Sequence, residues 1–198
     1  MILALLAIGA FLIGSIPFGY VISTVFFKTD IRKTGSGNIG AMNAMRAIGK
    51  GGAVAVLLLD ALKGFAPPFI ILHVAHWPVH GAAIVAAFAV LGHCFSPWMG
   101  WKGGKGVATS FGAIFALCWP AGLVAIGGWA AGALVSRYSS VGSMLGSVLA
   151  AAALWYFTRD PWLTGYGIFA AVFIVYTHRE NIARLLAGRE NAISSSVR

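Results

Sequence analysis

The chain has 198 residues, of which 59% are hydrophobic and only 10% charged, where a soluble domain carries roughly a quarter charged residues. That balance excludes an ordinary water-soluble fold, and one membrane domain accounts for the whole length. The formal net charge of +9 sits in short loops between apolar runs rather than along one soluble face. It therefore points to anionic headgroups and phosphorylated substrates and away from nucleic acid.

Apolar runs follow in order at 2–27, 53–72, 81–99, 107–119, 121–135, 141–157 and 162–177, against the roughly 20 residues a helix needs to cross the hydrocarbon core. The first run is longer than a signal-peptide core, lacks a basic n-region and shows no cleavage site before Lys28. It is expected to stay as the first transmembrane helix. Residues 107–135 as one helix would extend about 43 Å, too long for a single crossing, and Trp119-Pro120 offers the break. Seven spans put Lys28, Arg32, Lys33, Arg46, Lys50, Lys102, Lys105, Arg137, Arg179, Arg184, Arg189 and Arg198 on one side, leave Arg159 opposite and keep Lys63 within a span. Six spans would scatter them. Because Lys and Arg gather in cytoplasmic loops, the expectation is an all-α polytopic membrane protein with seven transmembrane helices, N-terminus outside and C-terminus cytoplasmic. Residues 178–198, with Ile182, Leu185 and Leu186 among Arg184 and Arg189, suit a short amphipathic cytoplasmic tail. Cys94 and Cys118 lie inside apolar runs and read as packing residues.

The groups capable of chemistry gather in the internal connections. Residues 34–52, TGSGNIGAMNAMRAIGKGG, combine turn-permitting glycines with Ser36, Asn38, Gly40, Asn43 and Arg46, a set better matched to a ligand site than to a linker. Residues 100–109, GWKGGKGVAT, place Gly103, Gly104, Lys105 and Gly106 at the start of a helix, where main-chain N–H groups, a helix N-terminus and an ammonium suit a phosphate. Neither Gly-Lys pair is followed by Ser or Thr, so this is no Walker A loop. Ser139 and Ser140 follow Arg137 in SRYSS, and His178, Glu180 and Asn181 share one helical turn, where a histidine can exchange a proton and an asparagine can hold an alcohol. Asp60 and Lys63 lie inside the second run at a spacing that lets them pair, as a structural ion pair or as pocket lining. His73, His76 and His80 fall near the outer face, and spacing alone supports no metal there.

Six ordered stretches carry a resemblance: GSIPFG (14–19), SGNIGAMN (36–43), DALKG (60–64), GHCFSPWMGWKGGKGVAT (92–109), SRYSS (136–140) and HRENIARLLAGRE (178–190). Over nearly its whole length the chain resembles the bacterial acyl-phosphate:glycerol-3-phosphate acyltransferases, the PlsY family. Met42 stands where threonine is usual in the family and Trp101 where phenylalanine is common; neither change removes an ionisable group. The resemblance implies a seven-helix enzyme of the bacterial inner membrane, its active site facing the cytoplasm. It would move a fatty acyl group from acyl phosphate to the 1-position hydroxyl of glycerol 3-phosphate, giving lysophosphatidic acid for phospholipid synthesis. No cofactor or metal is implied, acyl-CoA and acyl-carrier protein are not the direct donors, and a soluble enzyme that makes acyl phosphate is a candidate docking partner. None of the five histidines is followed five residues later by Asp, so the H-x4-D signature of other glycerolipid acyltransferases is absent.

On this reading His178, Asn181, Ser36 and Lys105 are the expected catalytic residues. Asn38, Gly40, Asn43, Arg46, Gly103, Gly104, Gly106, Ser139 and Ser140 are expected to bind substrate, while Asp60, Lys63 and Glu180 are structural or pocket-lining. Either His178 or the donor phosphate takes the hydroxyl proton. The rival reading is a membrane transporter of a phosphorylated metabolite, although transporters commonly carry internal repeats and a midplane site, and here polarity is concentrated at one face.

Overall fold

A computed structural model describes residues 1–193, which are helical throughout their ordered elements. The helices are α1 (Ile2–Gly14), α2 (Phe18–Phe27), α3 (Ala41–Phe69), α4 (Val79–Cys94), α5 (Val107–Leu117), α6 (Trp119–Ser136), α7 (Ser139–Thr158), α8 (Pro161–Thr177) and α9 (Arg179–Leu186). Among the described residues, five helical stretches are long and apolar enough to cross a membrane: Ile2–Phe27, Ala41–Val74, Val79–Met99, Trp119–Ser136 and Ser139–Thr158. Val107–Leu117 and Pro161–Thr177 are apolar but shorter. Leu5, Leu58, Leu134 and Val172 stand exposed on the outside while small residues fill the inside, the pattern of a bundle solvated by lipid.

At the centre lies α4, whose Ala82, Ala86, Ala89 and Val90 are fully buried. Small residues let the backbones close: a Cβ at Gly14 would lie 2.0 Å from the Ala89 carbonyl oxygen, and one at Gly92 would lie 2.1 Å from that of Phe11. This α1–α4 contact is matched by α3 against α5, where Gly64 faces Thr109 and Gly112 faces Ala61. The pairs α6–α7 and α7–α8 complete the bundle.

Breaks interrupt the helices at several points, some of them not read in the sequence. The run 2–27 divides at Ser15, Ile16 and Pro17, since proline has no N–H to continue the helix. The carbonyls freed there are reused: Ser15 O accepts from Ser96 Oγ at 2.7 Å, and Ile16 O accepts from Lys63 Nζ at 2.7 Å. The second helix starts at residue 41 rather than 53, with a break at Gly49 (φ 78°, ψ −177°), a backbone conformation that favours glycine. Pro67 and Pro68 lie in its last turns, and the chain widens into a π-helical turn over Ile70–Val74. Further on, the chain turns at Cys118 (φ −159°), one residue before Trp119-Pro120. At the far end Pro161 begins α8, and Asp160 Oδ1 caps it by accepting from the N–H groups of Trp162 (2.8 Å) and Leu163 (3.0 Å). Residues 178–186 form a short helix as the tail reading expects, and 194–198 of that tail lie outside the described residues.

Candidate active site

The segment after α2, the start of α3, the loop 95–106, the α6–α7 turn and the α8–α9 junction meet at one end of the bundle. Asn43, 2% exposed, folds the first of these segments. Its Nδ2 donates to the Ile31 and Asn38 carbonyls at 3.0 and 2.8 Å, and its Oδ1 accepts from the Ser36 N–H at 3.0 Å. Asn38 Oδ1 in turn accepts from Gly40 N at 2.8 Å. The amide of Asn43 is thus occupied in shaping the loop, while Ser36, Asn38 and Arg46 line the adjoining cavity.

The glycine loop hangs from the end of α4. Gly103 N donates to the Cys94 carbonyl at 2.9 Å and Gly104 N to that of His93 at 3.0 Å, and Gly106, at φ 83°, turns the chain into α5. Lys105 between them is tied at both ends: its carbonyl accepts from Thr177 Oγ1 at 3.0 Å, and its ammonium donates to Asn181 Oδ1. Burial, then the neighbouring Arg184, lowers that ammonium to about 8.

His178 caps α8, and its Nδ1 lies 2.8 Å from the Ile174 carbonyl. A carbonyl can only accept, so Nδ1 carries the hydrogen and Nε2 is the lone-pair nitrogen. Burial, then the charge of Lys105, lowers the imidazole to about 4, so it is neutral at pH 7.

The sequence reading missed Glu190 and Arg184. Residues 187–193 fold back across the site, joined to the α6–α7 turn by Ile193 N donating to the Arg137 carbonyl at 3.0 Å and to α3 by Arg46 Nη2 donating to Ala192 O at 3.4 Å. Glu190 Oε1 accepts from Asn181 Nδ2 (2.5 Å) and Ser140 Oγ (3.0 Å), and Oε2 accepts from Arg184 Nε (2.8 Å). Burial works to raise its carboxyl, but the bonds from Asn181, Arg184 and Ser140 outweigh it and hold the group below its usual value. The only sequence signal was a second carboxylate, after Glu180, in a strongly basic tail.

Two cavities share this framework. The smaller, about 290 Å³, is bordered by the polar side chains of Arg32, Ser36, Asn38, Lys102, Lys105, Glu180 and Arg184, with Gly103 beside them. The larger, about 720 Å³, has a polar head and an apolar body. Ser36, Asn38, Gly40, Asn43, Arg46, Lys105, Gly106, Ser139, Ser140, His178, Asn181, Arg184 and Glu190 border it at the head. From there it runs as a groove with α5 (Val107, Phe111, Phe115) as its floor and α3 (Val54, Leu58, Leu62) and α6 (Ile126, Trp129) as its sides. Leu58 and Leu62 are more than half exposed, so the groove is open toward the outside of the bundle. Ser36, Asn38, Lys105 and Arg184 border both spaces.

Further contacts of the residues singled out in the sequence lie in or against these walls. Gly104 packs on the ring of His93, Ser139 Oγ accepts from Trp129 Nε1 at 3.2 Å, Asp60 lies in the cavity wall, and Lys63 pairs with it at 2.6 Å. His73 at the far end bonds through Nε2 to the Ala116 carbonyl at 3.0 Å, and His80 packs on Trp162 with ring centroids 5.6 Å apart.

Comparison with known proteins agrees with this geometry. Residues 4–188 match the family model described as glycerol-3-phosphate acyltransferase. A protein of that name from Synechococcus sp. (strain JA-2-3B'a(2-13)) is 43% identical over 197 residues, covering 98% of this chain and 96% of the relative. Another from Mesorhizobium japonicum is 42% identical over 195 residues, with 98% and 97% covered. Crystal structures of PlsY (YgiH), an integral membrane glycerol 3-phosphate acyltransferase, superpose at 38% identity over 97% of this chain. The glycerol 3-phosphate form has a TM-score of 0.92 over 96% of that chain, and the lysophosphatidic acid form 0.89 over 95%. An apolar helical bundle with a polar, cationic site at one end, matched along its length by these relatives, is a membrane acyltransferase, and the chain belongs to the glycerol-3-phosphate acyltransferase family.

Proposed function

We propose that this enzyme transfers a fatty acyl group from acyl phosphate to the 1-position hydroxyl of glycerol 3-phosphate, giving lysophosphatidic acid for phospholipid synthesis. The observation that carries the reading is the pair of adjoining cavities, one small and polar, one long and mostly apolar, sharing Lys105, Ser36, Asn38 and Arg184. The small cavity suits glycerol 3-phosphate. The groove suits an acyl phosphate whose chain enters sideways from the bilayer and whose phosphate lies at the polar head.

An acyl phosphate is a mixed anhydride, so aligning two neutralised anions is most of the catalytic task. Lys105 and Arg46, with the N–H groups of Gly103, Gly104, Gly106 and Gly40, hold the phosphates, and Ser36, Asn38, Ser139 and Ser140 place substrate oxygens, with Asn43 bracing the loop beneath them. The C1 oxygen forms an ester bond to the acyl carbon as the carbon–oxygen bond to phosphate breaks, and phosphate leaves with that electron pair. The hydroxyl proton passes to His178 Nε2 or to the departing phosphate, with Asn181 orienting the hydroxyl. A neutral imidazole lowered to about 4 is in the right state to accept a hydrogen bond throughout the working range but is a weak base, which favours the orienting role. Glu180 stays at the rim as a structural group.

Seven transmembrane crossings fit the same reading, with α1 and α2 counted as one and the N-terminus outside. The eleven-residue α5 is about 16 Å long, well short of a bilayer core, but its Thr109, Ser110, Ala113 and Ile114 are buried in protein, so it need not match the lipid. The basic residues at the site end, against Arg159 at the other, support a site and C-terminus on the cytoplasmic face of a bacterial inner membrane. There a soluble enzyme making acyl phosphate could dock.

The test is turnover by purified protein with radiolabelled glycerol 3-phosphate in metal-free detergent buffer, supplied with palmitoyl phosphate or, in parallel, palmitoyl-CoA. Product from the acyl phosphate alone is expected; product from the CoA ester alone would overturn the donor assignment. His178→Ala and Asn181→Ala should each lower kcat by about 10² or more, and full activity in both would remove them from the mechanism. The pH profile carries a further expectation, since kcat/KM reports groups of the free enzyme. Lys105 loses its charge as pH rises through about 8, so kcat/KM for glycerol 3-phosphate should fall above that value. An always-charged arginine should abolish that alkaline limb in Lys105→Arg.

A further inference from the structure

Three ionisable side chains lie within the apolar bundle beneath the glycine loop: Asp60, Lys63 and His93, each less than 5% exposed. Lys63 Nζ is 2.6 Å from Asp60 Oδ1 and donates to the Ile16 carbonyl at the α1–α2 break. His93 Nδ1 lies 3.6 Å from the same Asp60 oxygen. The other edge of the imidazole meets the loop: a Cβ at Gly104 would lie 2.0 Å from His93 Nε2, and one at Gly103 would lie 1.9 Å from the His93 carbonyl oxygen. Gly104 also donates its N–H to that carbonyl. The imidazole is therefore the bed on which Gly103 and Gly104 rest, directly before Lys105.

A buried ion pair is weak evidence for stability, because well-packed apolar residues commonly replace one without loss. Its geometry here does something an apolar pair could not: it sets a carboxylate 3.6 Å from the inner edge of the imidazole that carries the loop. We infer that Asp60, held by Lys63, and His93 are positioning residues that set the height of the glycine loop and so the reach of the Lys105 ammonium into the two cavities. This rests on the reading that the loop holds a substrate phosphate. A shift of about 1 Å at such a group can cost about 10²-fold.

The experiment compares wild type with Asp60→Asn, His93→Gln and the double variant Asp60→Leu/Lys63→Leu, which removes both charges without stranding either. Steady-state rates against glycerol 3-phosphate at saturating acyl phosphate are measured together with thermal unfolding. Positioning predicts that KM rises about tenfold or more while kcat stays within about threefold, including in the double variant whose unfolding temperature is unchanged. A purely structural role lowers the active fraction and hence apparent kcat, leaving KM alone. An unchanged KM in the folded double variant overturns the inference. Titration of each protein with inorganic phosphate reads the loop without turnover: should the wild type transfer no acyl group, the reaction assignment fails, while weaker phosphate binding in the variants still upholds the positioning role and equal binding ends it.

Discussion

Replacing Lys105 with methionine is expected to lower kcat/KM for glycerol 3-phosphate by about three orders of magnitude with the fold intact. The ammonium borders both cavities and hydrogen-bonds Asn181, so on the proposed reaction it is the charge that would face both substrate phosphates at once. Truncating one partner of a desolvated charge pair costs about 2–5 kcal/mol, and each 1.4 kcal/mol is tenfold. Arg46 and Arg184 remain nearby, which keeps the loss below the upper end of that range. Lys105→Arg keeps the charge but brings a longer planar fork and should fall between the two. Initial rates decide the matter: a methionine variant within tenfold of wild type would exclude Lys105 from phosphate binding.

The second large effect concerns packing. Gly112→Val should sharply lower the unfolding temperature or prevent accumulation of folded protein, whereas Gly127→Val should do neither. Both glycines sit in apolar helices and look alike in the sequence. A Cβ at Gly112 would stand 2.0 Å from the Ala61 carbonyl oxygen and 2.8 Å from its carbon, so α3 and α5 would have to separate, whereas Gly127 has nothing within 4 Å. Overpacking commonly costs about 1–3 kcal/mol, and more when the obstacle is backbone. The same displacement would widen the groove. Detergent-solubilised unfolding curves for the two variants test the pair, and equal curves would refute the α3–α5 contact.

The helical membrane class was legible because apolar length and the placement of Lys and Arg are bulk properties. Boundaries were less so. The polar stretch 34–52 read as connection, yet residues 41–48 are already helical, because a helix at the end of a bundle can hold Asn43 inward and Arg46 toward a cavity without an apolar face. The break at Ser15–Pro17 was hidden in an unbroken apolar run, for there the freed carbonyls are satisfied by Ser96 and Lys63, far along the chain. Of the polar groups singled out, those around Ser36, Lys105 and His178 do share one cavity. What spacing could not reveal was the return of residues 187–193 across it, since Ser140 and Glu190 meet only through a fold. His93 went unseen for the opposite reason: it sits in an apolar run with no polar neighbour in sequence.

On the proposed reaction, the groove that opens between α3 and α6 changes what concentration means for this enzyme. A donor that reaches its seat sideways through lipid is sampled in two dimensions, so its saturation should follow mole fraction in the micelle or bilayer. Adding inert detergent at fixed bulk donor should slow the reaction by surface dilution, while the water-borne acceptor keeps an ordinary molar KM.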